Sequence, residues 1–158
     1  MEHKMNRDQA QNSLGFRPDM TVDKMQDRLK GSLPELLGME LVSIKTGRLQ
    51  SRLIVNQNLL APNGFLPAAT IIGPADTTCG FGTVAHLPEG AESFTTVELK
   101  ANFIGTVREG GIHCEAKIEH SGHTLQVWDA AVTDEASGRT IALFRCPQMI
   151  LWPKALSN

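Results

Sequence analysis

The stretch NGFLPAATIIGPADTTCGFG, Asn63–Gly82, is rich in Gly, Ala and Thr and carries a single charged residue, Asp76. Its length and small-residue content read as one helix over residues 67–86. Pro67 suits the first helical position, where a missing N–H costs nothing, and Leu87-Pro88-Glu89-Gly90 is the stop signal. A carboxylate in an apolar helix is costly to bury unless it has a partner or a task. Pro74, two residues earlier, lacks the N–H that would bond the Thr70 carbonyl. It either orients Asp76 or fits the helix to a curved sheet.

Outward from the helix the period changes from helical to alternating. Upstream, residues 39–47 (MELVSIKTG) and 48–57 (RLQSRLIVNQ) read as a hairpin turning at Thr46-Gly47-Arg48. The segment NLLAPNGFL, with its Pro, Asn and Gly, is a loop. Further upstream, Thr21 can cap a short helix with Val22, Met25 and Leu29 on one face and Gly31 at its end. SLPELLG then forms a second turn closed by Gly38. Downstream, SFTTVELKANFIGTV alternates as one strand, with Val97, Leu99, Ala101 and Phe103 on one face and Thr96, Glu98, Lys100 and Asn102 on the other. IHCEAKIEH, HTLQVWDAAVTD and TIALFRCPQMILW follow as three more strands, giving a four-strand antiparallel meander. The class is therefore α+β, one antiparallel sheet with a face covered by a single long helix. Residues 1–20 are expected to be a flexible arm and 21–158 a single domain.

Composition narrows the function. At 158 residues the chain holds one domain with a real core. A net charge of −2, with no basic block, argues against nucleic acid, and no apolar run reaches the roughly 20 residues that span a membrane. The polar N-terminus lacks an apolar signal region, and three cysteines without CxxC spacing point to reduced thiols and a cytoplasmic protein. Cys79 reads as helix packing and Cys114 and Cys146 as core. His120 and His123 flank a turn with no third ligand, so no metal site is expected. His86, near the helix C-terminus, reads as a partner of the helix dipole. Asp129, mid-strand, is expected to pair with a Lys or Arg across the sheet.

The helix has chemistry at two points. Its N-terminus presents unpaired amides, those of Ala68, Ala69 and Thr70, beside side chains small enough to admit a carbonyl oxygen. Such donors make an oxyanion hole, with each worth roughly 3 kcal/mol. Asp76 lies eight residues beyond Ala68, which at the helical rise is ~12 Å along the axis. One reacting carbon cannot touch both. A second, antiparallel copy of the helix across a two-fold axis would bring Asp76 of one chain beside Ala68 of the other. Thr77, next in sequence, can bond the carboxylate or a water.

These segments resemble the hotdog-fold acyl-CoA thioesterases of the phenylacetate-degradation/4-hydroxybenzoyl-CoA thioesterase type, over roughly residues 35–152. The likeness rests on NGFLPAATIIGPAD, on VELKANFIGTVREG and on HTLQVWDAAVTDEASGRTIALFRCPQMIL. It implies an antiparallel sheet wrapped around one long central helix, and a homo-oligomer, dimer or tetramer, with active sites at the dimer interface. It implies hydrolysis of an acyl-CoA thioester, with Asp76 as nucleophile or general base. The carbonyl would sit on the Ala68 amide, helped by Asn63 or the Gly64 backbone. Lys100, Arg108 and Arg145 are the candidates for its phosphates, with Arg108, in the turn where CoA lies in the family, preferred. Phe65 and Phe81 flank the acyl pocket. No cofactor is implied beyond the CoA of the substrate. The family's helix opens with His-Gly-Gly, where this chain has Pro67, Ala68 and Ala69. That departure is the feature favouring a non-catalytic acyl-CoA binder. A hydratase or dehydratase ranks lower, because residues 63–85 contain no His to pair with the acid.

Overall fold

Residues 14–154 are described by the computed structural model. In chain order they form α1 (Val22–Asp27), α2 (Leu33–Leu36), the hairpin β1 (Met39–Lys45) and β2 (Arg48–Ile54), a 3-10 turn (Gln57–Leu59) and α3 (Ala68–Ala85). Then follow β3 (Ser93–Thr96), β4 (Lys100–Phe103), β5 (Gly111–Ser121), β6 (Leu125–Asp134) and β7 (Thr140–Leu151). Thr21 caps α1 as read, its hydroxyl accepting from the Lys24 N–H. Gly38 closes α2 at φ 75°, the left-handed geometry that favours glycine after a helix. Of the arm expected over residues 1–20, residues 1–13 lie outside the described residues. Residues 14–20 are docked: Phe16 and Met20 pack on the core, and the Arg17 N–H donates to the Ala85 carbonyl at 2.8 Å.

The sheet is antiparallel, in the order β1-β2-β5-β6-β7-β3, with β4 also paired to β7. Two expectations need correction. The strand after α3 does not open a four-strand meander: it crosses to the far edge and pairs with β7, while β5 joins β2. Nor is it one strand. Thr96 stands opposite Gln148 but Lys100 opposite Arg145, so one extra residue is accommodated between β3 and β4. The break lies opposite Pro147, which has no N–H to give the ladder. Val97 and Phe103, read on one apolar face of a single strand, are 48% and 41% exposed.

The other strands alternate as read. Ile112, Cys114 and Ala116 of β5, Trp128, Ala130 and Val132 of β6, and Phe144 and Cys146 of β7 all face inward and are buried. They meet α3, which touches β2, β3, β5, β6 and β7 in the manner of a sheet curled around a central helix. All three cysteines are buried and free, as packing residues should be. Glycines let the helix approach closely. A Cβ on Gly82 would stand 2.8 Å from the Trp128 ring, one on Gly80 3.1 Å from Phe94, and one on Gly73 2.6 Å from Leu37.

His86 does not serve the helix dipole as a cation. It is fully buried, its Nε2 accepts the Gly47 N–H at 2.8 Å, and its Nδ1 therefore carries the proton donated to the Gly82 carbonyl at 2.7 Å. Burial pushes its pKa below the usual 6.5. The folded state thus holds the neutral ring, and the unfolded chain takes the proton first as pH falls. Stability is full above pH 6.5 and declines as pH drops from there toward the lower folded value. Thermal melts across pH 5–8 should show this decline; His86→Gln, melting lower at pH 8, should lack its His component.

Candidate active site

The Asn63–Leu66 loop turns the chain into α3. Gly64 sits at φ 78°, and its N–H donates to the Ala61 carbonyl at 2.8 Å. That amide is engaged and does not point at a substrate, contrary to its expected role. Asn63 braces the same loop, its Oδ1 accepting the Phe65 N–H at 3.2 Å. Pro67 is extended (φ −77°, ψ 159°) and caps the helix from outside instead of opening it. Its carbonyl accepts the Thr70 N–H at 3.1 Å, which removes Thr70 from the expected oxyanion donors. The amides of Ala68 and Ala69 remain, exposed and without a partner among the described residues. A carbonyl oxygen meeting them gains two donors at the positive end of a helix dipole.

Arg108 joins this end. Its guanidinium lies 4.0 Å over the Phe65 ring, a cation–π arrangement. The neighbouring Val107 carbonyl accepts the Leu66 N–H at 3.1 Å, which ties the Arg108 turn to the loop before α3. Lys100 goes elsewhere. It pairs in register with Arg145 on the outer face of the sheet, where Arg145 is bound to Asp129 at 2.6 Å. The cross-strand partner expected for Asp129 is thus Arg145, and Lys100 and Arg108 do not form one anion site. Phe81 is half-buried in α3, packed on the core.

Asp76 lies farther along α3, half-buried. Burial raises its pKa above the ordinary 3.8, and a hydrogen bond from Thr96 works against that rise. The Thr96 hydroxyl stands 3.5 Å from Asp76 Oδ1 and 2.9 Å from Gln148 Oε1. Thr77 makes no hydrogen bond to Asp76; the hydroxyl beside the acid is Thr96. No local signal in the sequence marks this, because Thr96 is 20 residues away and reaches the helix only through the pairing of β3 with β7. Within one chain the amides at the start of α3 that have no partner among the described residues and the Asp76 carboxylate farther along it are thus separate.

The thioesterase superfamily profile matches residues 65–141. A Listeria monocytogenes protein named 1,4-dihydroxy-2-naphthoyl-CoA hydrolase is 27% identical over 72% of this chain and 91% of its own length. A Deinococcus radiodurans protein named as a candidate esterase is 30% identical over 75% of this chain and 73% of its own. Among solved structures, a Haemophilus influenzae thioesterase superposes with a TM-score of 0.83 at 18% identity, covering 91% of this chain and 99% of that one; at that identity the likeness establishes the hotdog fold. No helix among the described residues is long and apolar enough to cross a membrane. With the profile, the 30% relative and the wrapped helix in agreement, the chain belongs to the thioesterase superfamily, and its chemistry is thioester hydrolysis.

Proposed function

We propose that this protein hydrolyses an acyl-CoA thioester at sites shared between two copies of the chain. The observation that carries the reading is the separation on α3 of two free amides, Ala68 and Ala69, from a carboxylate whose pKa burial has raised. Neither half is sufficient alone, and an antiparallel second helix makes them one site. Asp76 and Thr77 are half-buried in the single chain and lie on one turn of α3, where a second helix would meet them.

In this mechanism the thioester oxygen rests on the Ala68 and Ala69 amides of one chain. Asp76 of the other takes a proton from water, the oxygen of that water attacks the carbonyl carbon, and the amides hold the developing oxyanion. The C–S bond then breaks, the sulfur leaves with the proton from Asp76, and free acid and CoA thiol result. A raised pKa suits this base role, since it makes the carboxylate a stronger proton acceptor. Arg108, steadied on Phe65 near the helix start, meets the CoA phosphates. The chain itself supplies base and oxyanion donors, so the reaction calls for no metal or redox cofactor, and a reducing cytosol suits its three free thiols.

The test is release of CoA thiol from a panel of acyl-CoAs, with calorimetry alongside. Turnover supports the reading; tight binding without turnover would make the protein an acyl-CoA binder. The shared site has its own test. Asp76→Asn and Ala68→Pro chains, each inactive alone, should regain about a quarter of the wild-type rate when co-expressed, because half of random dimers are mixed and each has one intact site of two. No recovery would place the whole site in one chain.

A further inference from the structure

Beneath Asp76 the inward face of the sheet carries two neighbouring glutamines, Gln126 on β6 and Gln148 on β7, paired in register and both fully buried. They are not satisfied alike. Gln126 is complete: its Nε2 donates to the His86 carbonyl at 2.7 Å, and its Oε1 accepts from Trp128 Nε1 at 3.1 Å. Gln148 meets Thr96 through Oε1 at 2.9 Å, and its Nε2 has no partner among the described residues. A buried amide nitrogen with both N–H donors unmade is rare and costly.

The Thr96 hydroxyl has one proton and two candidate acceptors, Asp76 Oδ1 at 3.5 Å and Gln148 Oε1 at 2.9 Å. If Gln148 takes that proton, Asp76 loses its only hydroxyl donor among the described residues and the Gln148 nitrogen is orphaned. The two ends of an amide have the same shape, and the hydrogen-bond network decides which is nitrogen. Turned over, Gln148 donates to Thr96 Oγ1, and the Thr96 proton is directed to Asp76. The remaining unpaired atom is then a carbonyl oxygen, which is better tolerated than an unpaired N–H.

We propose that Gln148 and Thr96 are positioning residues for Asp76: Gln148 holds the Thr96 hydroxyl as an acceptor, so that Thr96 donates to the carboxylate and keeps it ionised and aimed. This rests on the reading of Asp76 as the base. The thiols packed below the helix stay protonated: that of Cys79 is raised by a hydrogen bond with Cys146 and by burial, and Cys114 on β5 is pushed by burial to about 12.

The experiment uses the full chain as its native oligomer. It compares Thr96→Val, Thr96→Ser, Gln148→Met and Asp76→Asn by the pH profile of thiol release and by the carboxyl 13C titration of Asp76. Thr96→Val removes the hydroxyl at constant shape. Its acid limb and the Asp76 titration should both move to higher pH. Its kcat should fall about tenfold, the scale of one hydrogen bond to a charged group, with KM unchanged. Thr96→Ser should keep the wild-type profile, and Gln148→Met, which leaves the Thr96 hydroxyl in place without its anchor, should shift it in the same direction as Thr96→Val but by less. An unmoved Asp76 titration in Thr96→Val overturns the relay, whatever Asp76→Asn does. Wild-type turnover in Asp76→Asn instead overturns the base reading, and the titration still decides whether Thr96 sets the ionisation.

Discussion

Asp76→Asn should lower kcat by about 10²–10⁴-fold, the range a general base contributes, in a protein that melts no lower than wild type at pH 7. The two halves of this expectation share one cause. Burial raises the Asp76 pKa above 3.8, so the folded state prefers the protonated acid. The stability this group contributes is full below the unfolded pKa and is lost as pH rises through the folded value. At neutral pH the carboxylate is thus a burden on the fold that the uncharged amide lacks. Thiol-release kinetics and calorimetry on the same samples check both halves. A wild-type rate would remove Asp76 from the mechanism. A lower melting temperature would mean that the carboxylate is structural.

Ala68→Pro should cost about 10²–10³-fold in kcat with little change in KM, the usual effect of deleting one oxyanion donor. Backbone donors are seldom open to mutation, but this one is. Ala68 is the first residue of α3, its N–H has no partner among the described residues, and the preceding Pro67 is already extended. Proline at that position keeps the helix and removes only the donor. Ala68→Ser, which keeps the amide, should retain activity. Steady-state kinetics on both variants decide the matter: an active Ala68→Pro would put the oxyanion elsewhere.

The sequence made some of this visible and hid the rest. α3 and the inward faces of β5, β6 and β7 were legible because their signals are local: a small-residue run between two prolines, and strict alternation. Partner choice was not. β3 and β4 look like one strand that should neighbour β5, and only the closed sheet shows them on β7, broken opposite Pro147. The site divided along the same line. Asp76 and Ala68 stand out against their neighbours in sequence, whereas Arg108 is named from the resemblance and only the fold sets it over Phe65. Thr96 and Gln148 do not stand out, because a cross-strand pair brings them under the helix. Gly64 and Thr70 were misjudged because the carbonyls of Ala61 and Pro67 take their amides, a matter of loop geometry that composition does not report.

The three close approaches along α3 set the height of Asp76. Leu37, Phe94 and Trp128 come from three different segments, and each enters a notch left by a glycine, at 73, 80 and 82. Gly73 and Gly80, seven residues apart, lie on nearly one line of the helix and Gly82 on the other side, so the notches fix both the slide and the roll of a cylinder. Asp76 lies between the first and second of them. Its alignment with the Thr96 hydroxyl therefore depends on three side chains drawn from elsewhere in the chain, and a methyl group added in any notch would press the helix away from them as a rigid rod.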